Sequence, residues 1–531
     1  MVKSILNNNV QTVFGYPGAA ICPFYDALID SEVSHILVRH EQSAIHAANG
    51  YARISQNVGV CIATSGPGAT NLITGIASAY MDSIPVVAFT GQVQSALIGR
   101  DVFQEADITG ACEPFSKHSY LVKNVNDLPR ILAEAFYLAK SGRPGPVLVD
   151  VPVDIQKAEI TSSLNPLVDI KGYKPTTAGN KRQIERACEA ISQAKMPVII
   201  AGGGIFISNA REEFVKFVDT VKVPTVNTMM GIGALPHGHN LKLGMLGSHG
   251  VKSANLAINK ADLLIICGAR VGDRAIACPD QVCEHAKVIH IDIDPAEIGK
   301  NMCCEIPIVG DLKSILQDLT EKVAPAKIDE WINECKSHIP PDKTSNGAEN
   351  FLKPKEFIQL LTSKAANNFN LVADVGQNQI WSANCAKIGQ NARFLTSGGM
   401  GAMGYSVAAG MGAYFADKNR QTIVICGDGS FQMQLMELAT IKCHNLPIKI
   451  IVMNNTKLGM VREIQDNMYQ KRQSGVDLSG NPDFTALAKS YGIKSLKIDG
   501  NSDVNAAIDE FLSADEAFLL ECIVDPTESS L

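Results

Sequence analysis

The chain has 531 residues, 46% hydrophobic and 19% charged, enough for about three domains with cores of their own. A net charge of −7 without any Lys/Arg run argues against a polyanion-binding surface, and no apolar stretch reaches the roughly 20 residues of a membrane span, so neither nucleic acid nor membrane is an expected partner. The opening MVKSILNNNVQTVFGYPG lacks a signal-like apolar core, so a cytoplasmic protein is expected, and the fourteen scattered cysteines, including Cys61, Cys267 and Cys426 inside apolar runs, read as reduced core residues.

Residues 1–162 alternate short apolar runs with helix-like segments and Gly/Pro turns, the pattern of an open parallel sheet. Phe14-Gly15-Tyr16-Pro17-Gly18 turns the chain after a first strand, and Ile36-Leu37-Val38 delivers Arg39-His40-Glu41-Gln42 to a helix start. Glu41 thus sits at a strand's carboxyl edge, where such sheets keep ligands, although a first-turn glutamate is also favoured by the helix dipole alone. Gly59–Asn71 repeats the strand, glycine turn, helix order. A polar interval near 157–185 reads as a linker to a middle domain, 186–325. There Pro197–Gly204, Leu263–Arg270 and Lys287–Asp294 are strands entering polar or glycine turns, and Val309-Gly310-Asp311 ends a fourth, as in a nucleotide-holding sheet.

The charged, Pro-broken stretch 326–353 reads as a second connector before a third domain, 354–531. Val372–Gln379 and the glycine-rich Ser397–Gly404 precede the most informative stretch, Thr422–Asn455. An apolar strand runs into Gly427-Asp428-Gly429-Ser430, a helix follows, and a second apolar strand ends at Asn454-Asn455. In a parallel βαβ unit both strands finish on one edge, so Asp428 and Asn455 can lie side by side although 24 residues (430–453) separate Gly429 from Asn454. A carboxylate, an amide oxygen and a main-chain carbonyl, completed by phosphate oxygens and water, suit magnesium. The expected class is α/β, with three doubly wound parallel-sheet domains.

The paired GDGS and NN halves, each led by an Ile/Val strand, resemble the signature of the thiamine diphosphate (ThDP) enzymes. RHEQSAIHAANGYAR, ATSGPGATNLITGIASAY, DSIPVVAFTGQV, IGRDVFQEADITG, SKHSYLV and SGRPGPVLVDVPVDIQ are similar to segments of the large, catalytic subunit of acetolactate synthase. The resemblance implies a pyrimidine-binding first domain, a central FAD-type domain and a diphosphate-binding third domain. It places Glu41 on N1′ of the aminopyrimidine, where a carboxyl raised by an apolar pocket can share a proton with the ring. It gives Asp428, Asn455 and the Lys457 carbonyl to magnesium; Gly18, Gln377, Gly401, Gly429 and Ser430 to ThDP; and Met403 to the bend of the cofactor. Gln104 and Phe103 line the donor side and Lys117 its entrance, while Arg274, Met460 and Ile464 face the acceptor. Arg143, Gly202, Gly203, Thr228, Met229 and His249, with Gly268, Arg270, Arg274, Glu297 and Asp311, match the residues around a structural FAD.

The implied reaction decarboxylates pyruvate and passes its two-carbon unit to a second 2-oxo acid, in branched-chain amino acid biosynthesis. A homodimer or homotetramer with the site between subunits, and a regulatory small subunit, are the implied partners. Several positions depart from the family. Val271-Gly272 replaces the usual Phe-Asp, Ser248 replaces Met, Ala19 replaces Gly, and Ile464 replaces the Trp that selects 2-oxobutyrate. The chain also stops at Asp525-Pro526-Thr527-Glu528-Ser529-Ser530-Leu531 without the Pro-rich arm, which leaves the site less closed to water. These departures keep open a different ThDP decarboxylase or carboligase, or a silent cofactor-binding paralogue.

Overall fold

The computed structural model describes residues 1–164, 166–339 and 344–531; the Pro340-Pro341 break of the second connector lies outside them. Its central strands are short apolar runs buried on both faces, as parallel strands covered by helices must be, while edge strands such as His118–Leu121 and Lys494–Ile498 are partly exposed. Eighteen of them build three six-stranded sheets, in which every pairing is parallel. The first sheet comprises β1 (Thr12–Gly15), β2 (Ser34–Leu37), β3 (Gly59–Ala63), β4 (Val86–Gln92), β5 (His118–Leu121) and β6 (Pro146–Pro152). The second comprises β7 (Pro197–Ala201), β8 (Thr225–Asn227), β9 (Lys242–Met245), β10 (Leu263–Cys267), β11 (Lys287–Asp292) and β12 (Ile306–Val309). The third comprises β13 (Phe369–Ala373), β14 (Arg393–Leu395), β15 (Gln421–Gly427), β16 (Lys449–Asn454), β17 (Lys494–Ile498) and β18 (Phe518–Ile523).

The strand orders are informative. The first sheet runs β2-β1-β3-β4-β6-β5, and the third repeats it as β14-β13-β15-β16-β18-β17. The second runs β9-β8-β7-β10-β11-β12, the dinucleotide-binding order. Each order reverses direction between β1 and β3, β7 and β10, or β13 and β15, and the loops leaving those strands open a crevice.

First and third sheets meet through helix α1 (Glu41–Ser55) and a later helix, Ser406–Ala416. The two backbones touch: a Cβ at Gly50 would lie 2.0 Å from the Ala409 carbonyl oxygen, and one at Gly412 1.8 Å from that of Ala47. Around this contact Tyr405 Oη donates to Asn49 Oδ1 at 2.9 Å. Asp82 ties the domains again, pairing with Arg53 at 2.7 Å and accepting the Gly399 N–H at 2.7 Å.

Both connectors contribute to the middle core. Asn180 caps a helix, Lys181–Gln193, that begins ahead of residue 186 and buries Ile184, Ala187 and Ile191 on the second sheet. Helix Asp329–Ser337 lies inside the expected connector, yet its Trp331 is buried in the same core and donates from Nε1 to Pro197 O at 3.0 Å. The cysteine expectation needs one correction. Cys283 and Cys303 form a disulfide across 20 residues, because helix Pro279–Cys283 folds back onto the loop after β11; among the described residues the other twelve form no disulfide.

Candidate active site

The first sheet's crevice collects Gly18, Thr64, Gly66, Gly68, Glu41 and Gln104. Glu41 opens α1, and its Oε2 accepts from Asn71 Nδ2 at 2.9 Å. Gly18 lies so close to Thr64 that a Cβ would stand 2.5 Å from its methyl group, and the Gln104 backbone rests on Gly66. Phe103, 87% exposed, projects beside it. Lys117 is elsewhere: its ammonium is spent on the carbonyls of Leu138 and Ser141 and on the Tyr173 hydroxyl, and burial pulls its pKa down to about 8.

The third sheet's crevice gathers most of the other residues that the sequence resemblance assigned to ThDP. Gly427 pairs with Met453 across β15 and β16, which sets Asp428 beside Asn454 and Asn455. Asp428 is buried, 1% exposed, and its Oδ2 accepts from Asn481 Nδ2 at 2.7 Å. Burial pushes its pKa up to about 6, opposed by that bond and by neighbouring main-chain N–H groups. Asn455 Oδ1 accepts the Lys457 N–H at 3.0 Å, so Asp428, Asn455 and Lys457 form one short polar rim. Ser430 turns back on the loop, where the Gly427 N–H donates to its Oγ at 3.1 Å.

Met403 approaches Gly429, its Cε 3.7 Å from a Cβ built there. Gly401 takes φ +67°, a conformation that favours glycine, and lies beside Val375. Asp374 holds this turn: buried, it accepts the Gly404 N–H at 3.0 Å and the Ser406 N–H at 2.8 Å. Helix α2 (Gln377–Cys385) starts at the same crevice, and α3 (Gly459–Met468) carries a half-buried Met460 and a 47% exposed Ile464.

At the middle sheet's switch point, Gly204 N donates to Gly268 O at 3.0 Å, and beyond this contact opens a cavity of about 1240 Å³. Arg143, Gly203, Thr228, Met229, His249, Gly268, Arg270, Arg274, Glu297 and Asp311 all line it. Gly202 lies behind the wall, its N–H tied to Cys267 O at 2.9 Å. Arg143 bridges from the first domain to Glu297 at 2.6 Å. His249 is held below the usual imidazole range by burial and by Arg274. Val271, at the departure from the family's Phe-Asp, has φ +49°, a strained state for a β-branched residue.

Family models described as the N-terminal TPP binding domain, central domain and C-terminal TPP binding domain of thiamine pyrophosphate enzymes match residues 1–111, 184–319 and 374–522. The chain is 44% identical to the probable acetolactate synthase large subunit of Methanocaldococcus jannaschii, covering 100% of this chain and 92% of that protein. It is 41% identical to the acetolactate synthase large subunit of Lactococcus lactis, over 100% of this chain and 93% of that one. For the Corynebacterium glutamicum large subunit the identity is 44%, over 96% and 83%. The chain belongs to the acetolactate synthase large-subunit family of thiamine pyrophosphate enzymes.

Two groups in this family member's seat escape motif reading. Asn481, the partner of Asp428, also accepts from Gln432 Nε2 at 2.8 Å, but stands 53 residues from Asp428 in an unremarkable polar loop. Glu463 receives Gln377 Nε2 at 2.6 Å and the Ser530 N–H at 2.6 Å, joining three distant segments. The C-terminal stretch is likewise folded in: Trp381 Nε1 donates to Ser529 O at 2.8 Å, and Glu528 is buried against Lys355 at 3.3 Å.

Proposed function

We propose that this chain is an acetolactate synthase: it decarboxylates pyruvate and transfers the two-carbon unit to a second 2-oxo acid, using ThDP, magnesium and a structural FAD. The observation that carries this reading is the buried Asp428–Asn455 rim at the third sheet's switch point. One carboxylate, one amide oxygen and a main-chain carbonyl make a half-shell that phosphate oxygens complete, so the residues fit a magnesium diphosphate. Bound ThDP supplies a thiazolium carbon nucleophile and electron sink for decarboxylation. This chain's residues do the rest. Asp428 and Asn455 orient the diphosphate, Met403 supports the bend between the rings, and Glu41 holds or releases a proton at the pyrimidine N1′. Gln104 and Phe103 flank the donor, and Arg274, largely exposed, offers a guanidinium to the acceptor carboxylate.

The middle cavity supports FAD. Glu297 Oε2 is buried without a hydrogen-bond partner among the described residues and lines the space, as an acceptor for a ribose hydroxyl would. A subunit interface completes the site in this reading. Among the described residues no hydrogen bond or ion pair joins the Glu41 carboxylate to Asp428, Asn455 or Met403. Exposed apolar side chains flank both halves, Tyr16, Leu37 and Phe103 on one, Met400, Met433 and Ile464 on the other. Homodimerisation covers them and brings Glu41 of one subunit to the seat of the next. The large-subunit names of the relatives support a regulatory small subunit as a further partner.

The test supplies purified protein with ThDP, Mg²⁺ and FAD, then pyruvate with and without 2-oxobutyrate, and measures acetolactate, acetaldehyde and CO₂. Acetolactate with CO₂ is the expected result. Acetaldehyde alone moves the chain to the decarboxylases, and no CO₂ marks a silent paralogue. The product ratio with 2-oxobutyrate reads the acceptor preference that Ile464 sets.

A further inference from the structure

Gln377 opens helix α2 at the crevice, yet its side chain faces away from its own turn. Oε1 accepts from Asn455 Nδ2 at 2.8 Å, while Nε2 donates to Glu463 Oε1 at 2.6 Å and to the Glu528 carbonyl at 2.7 Å. An amide so placed has one orientation. Turned over, it would set its NH₂ against that of Asn455 and its oxygen against a carboxylate and a carbonyl. With Nδ2 committed to Gln377, Asn455 keeps Oδ1 on the opposite side, where Lys457 N–H meets it.

Glu463 is itself fixed. Oε1 also accepts the Ser530 N–H at 2.6 Å and Oε2 accepts Ser530 Oγ at 2.6 Å. Arg462, buried, donates from Nη2 to the Glu528 carbonyl at 2.8 Å and so holds the second acceptor of Gln377. No slack exists beneath the amide: a Cβ at Gly459 would stand 1.8 Å from Gln377 Oε1. The chain of contacts therefore runs from Ser530 through Glu463 and Gln377 to Asn455, linking the helix that bears Ile464 to the metal rim.

We propose that Glu463 is a positioning residue: held by Ser530, it fixes Gln377 and through it presents the Asn455 amide oxygen to the metal that anchors the diphosphate. The inference rests on the diphosphate-seat reading above. It also assigns a task to the segment 527–530, whose carbonyls and Ser530 complete the clamp on the acceptor-side helix.

The experiment titrates Mg²⁺–ThDP into the apoprotein, followed by tryptophan fluorescence, for wild type, Glu463→Ala, Glu463→Gln, Gln377→Ala and the Glu463→Ala/Gln377→Ala pair, with the apo Tm of each as a folding control. Losing such an outer partner raises the Kd by about 10–100-fold, so Glu463→Ala is expected there. Glu463→Gln, which keeps one acceptor oxygen, loses less and stands in if Glu463→Ala does not fold. The double variant binds no more weakly than Gln377→Ala alone, because both changes cut one chain of contacts. An unchanged Kd in Glu463→Ala, or losses that add in the double variant, overturns the proposal. Wild type that does not bind Mg²⁺–ThDP removes the seat reading itself, and the inference with it, before any variant is compared.

Discussion

The first and third sheets share one strand order and carry different polar groups at their crevices. Each has its crevice between the same pair of strands, β1/β3 in one and β13/β15 in the other. Even a buried acid recurs: Asp150 on β6 accepts from Thr90 Oγ1 on β4 at 2.7 Å, and Glu521 on β18 accepts from Asn454 Nδ2 on β16 at 2.8 Å. What differs is the turn leaving the second strand of the crevice. After β3 it is Thr64-Ser65-Gly66-Pro67-Gly68, with no charged group, and the acid of that half, Glu41, arrives from β2. After β15 it is Asp428-Gly429-Ser430, an acid set into the turn. Topology supplies a place for a ligand, and in the reading proposed above a few loop residues assign one half to proton transfer and the other to a metal diphosphate.

Four experiments break or sharpen this division. The largest effect is expected for Glu41→Gln, which should lower turnover by about 10²–10⁴-fold while Mg²⁺–ThDP still binds; parallel loss of binding would merge the two roles. Next, Asp428→Asn should weaken Mg²⁺–ThDP at least as much as loss of an outer partner, about 10–100-fold, measured by fluorescence titration, and leave the Glu41 side intact. Third, Gly412→Ala drives a methyl into the Ala47 carbonyl where the two halves meet. It should cost about 1–3 kcal/mol, read as a lower Tm, and a neutral result would mean that the helices can slide apart.

The smallest effect concerns Asp150, raised by burial to about 7. Its folded pKa exceeds the unfolded value of about 3.9, so the folded state keeps a proton the unfolded chain has lost. That stability is full below about pH 4 and disappears as pH rises to about 7. The Tm of wild type should therefore fall relative to Asp150→Asn between pH 4.5 and 7.5, values chosen at about the ends of that window, and a constant difference would place the proton elsewhere.

Much of this was legible in the chain. Strands buried on both faces must be continuous apolar runs, so β7, β10, β15 and β16 stand out, and the glycine or acidic turns that follow them mark carboxyl edges. The Asp428–Asn455 pairing follows from parallel geometry alone. Less legible were the connectors, because amphipathic helices such as Asp329–Ser337 look polar until a sheet is found to cover Trp331. The Cys283–Cys303 bridge depended on a fold-back that spacing does not encode.

The sequence by itself determined three parallel α/β layers, the placing of Asp428 and Asn455 at one sheet edge and of Glu41 at a helix start, since these depend on local periodicity and on turns next to their strands. Tertiary structure alone decided that β1–β6 and β13–β18 repeat one order, that Lys117 is spent on main-chain carbonyls, and that Asn481, Glu463 and Ser530 brace the seat. The physical reason is that hydrogen bonds between segments tens or hundreds of residues apart leave no periodic trace in the chain; they exist only once the crevice has formed.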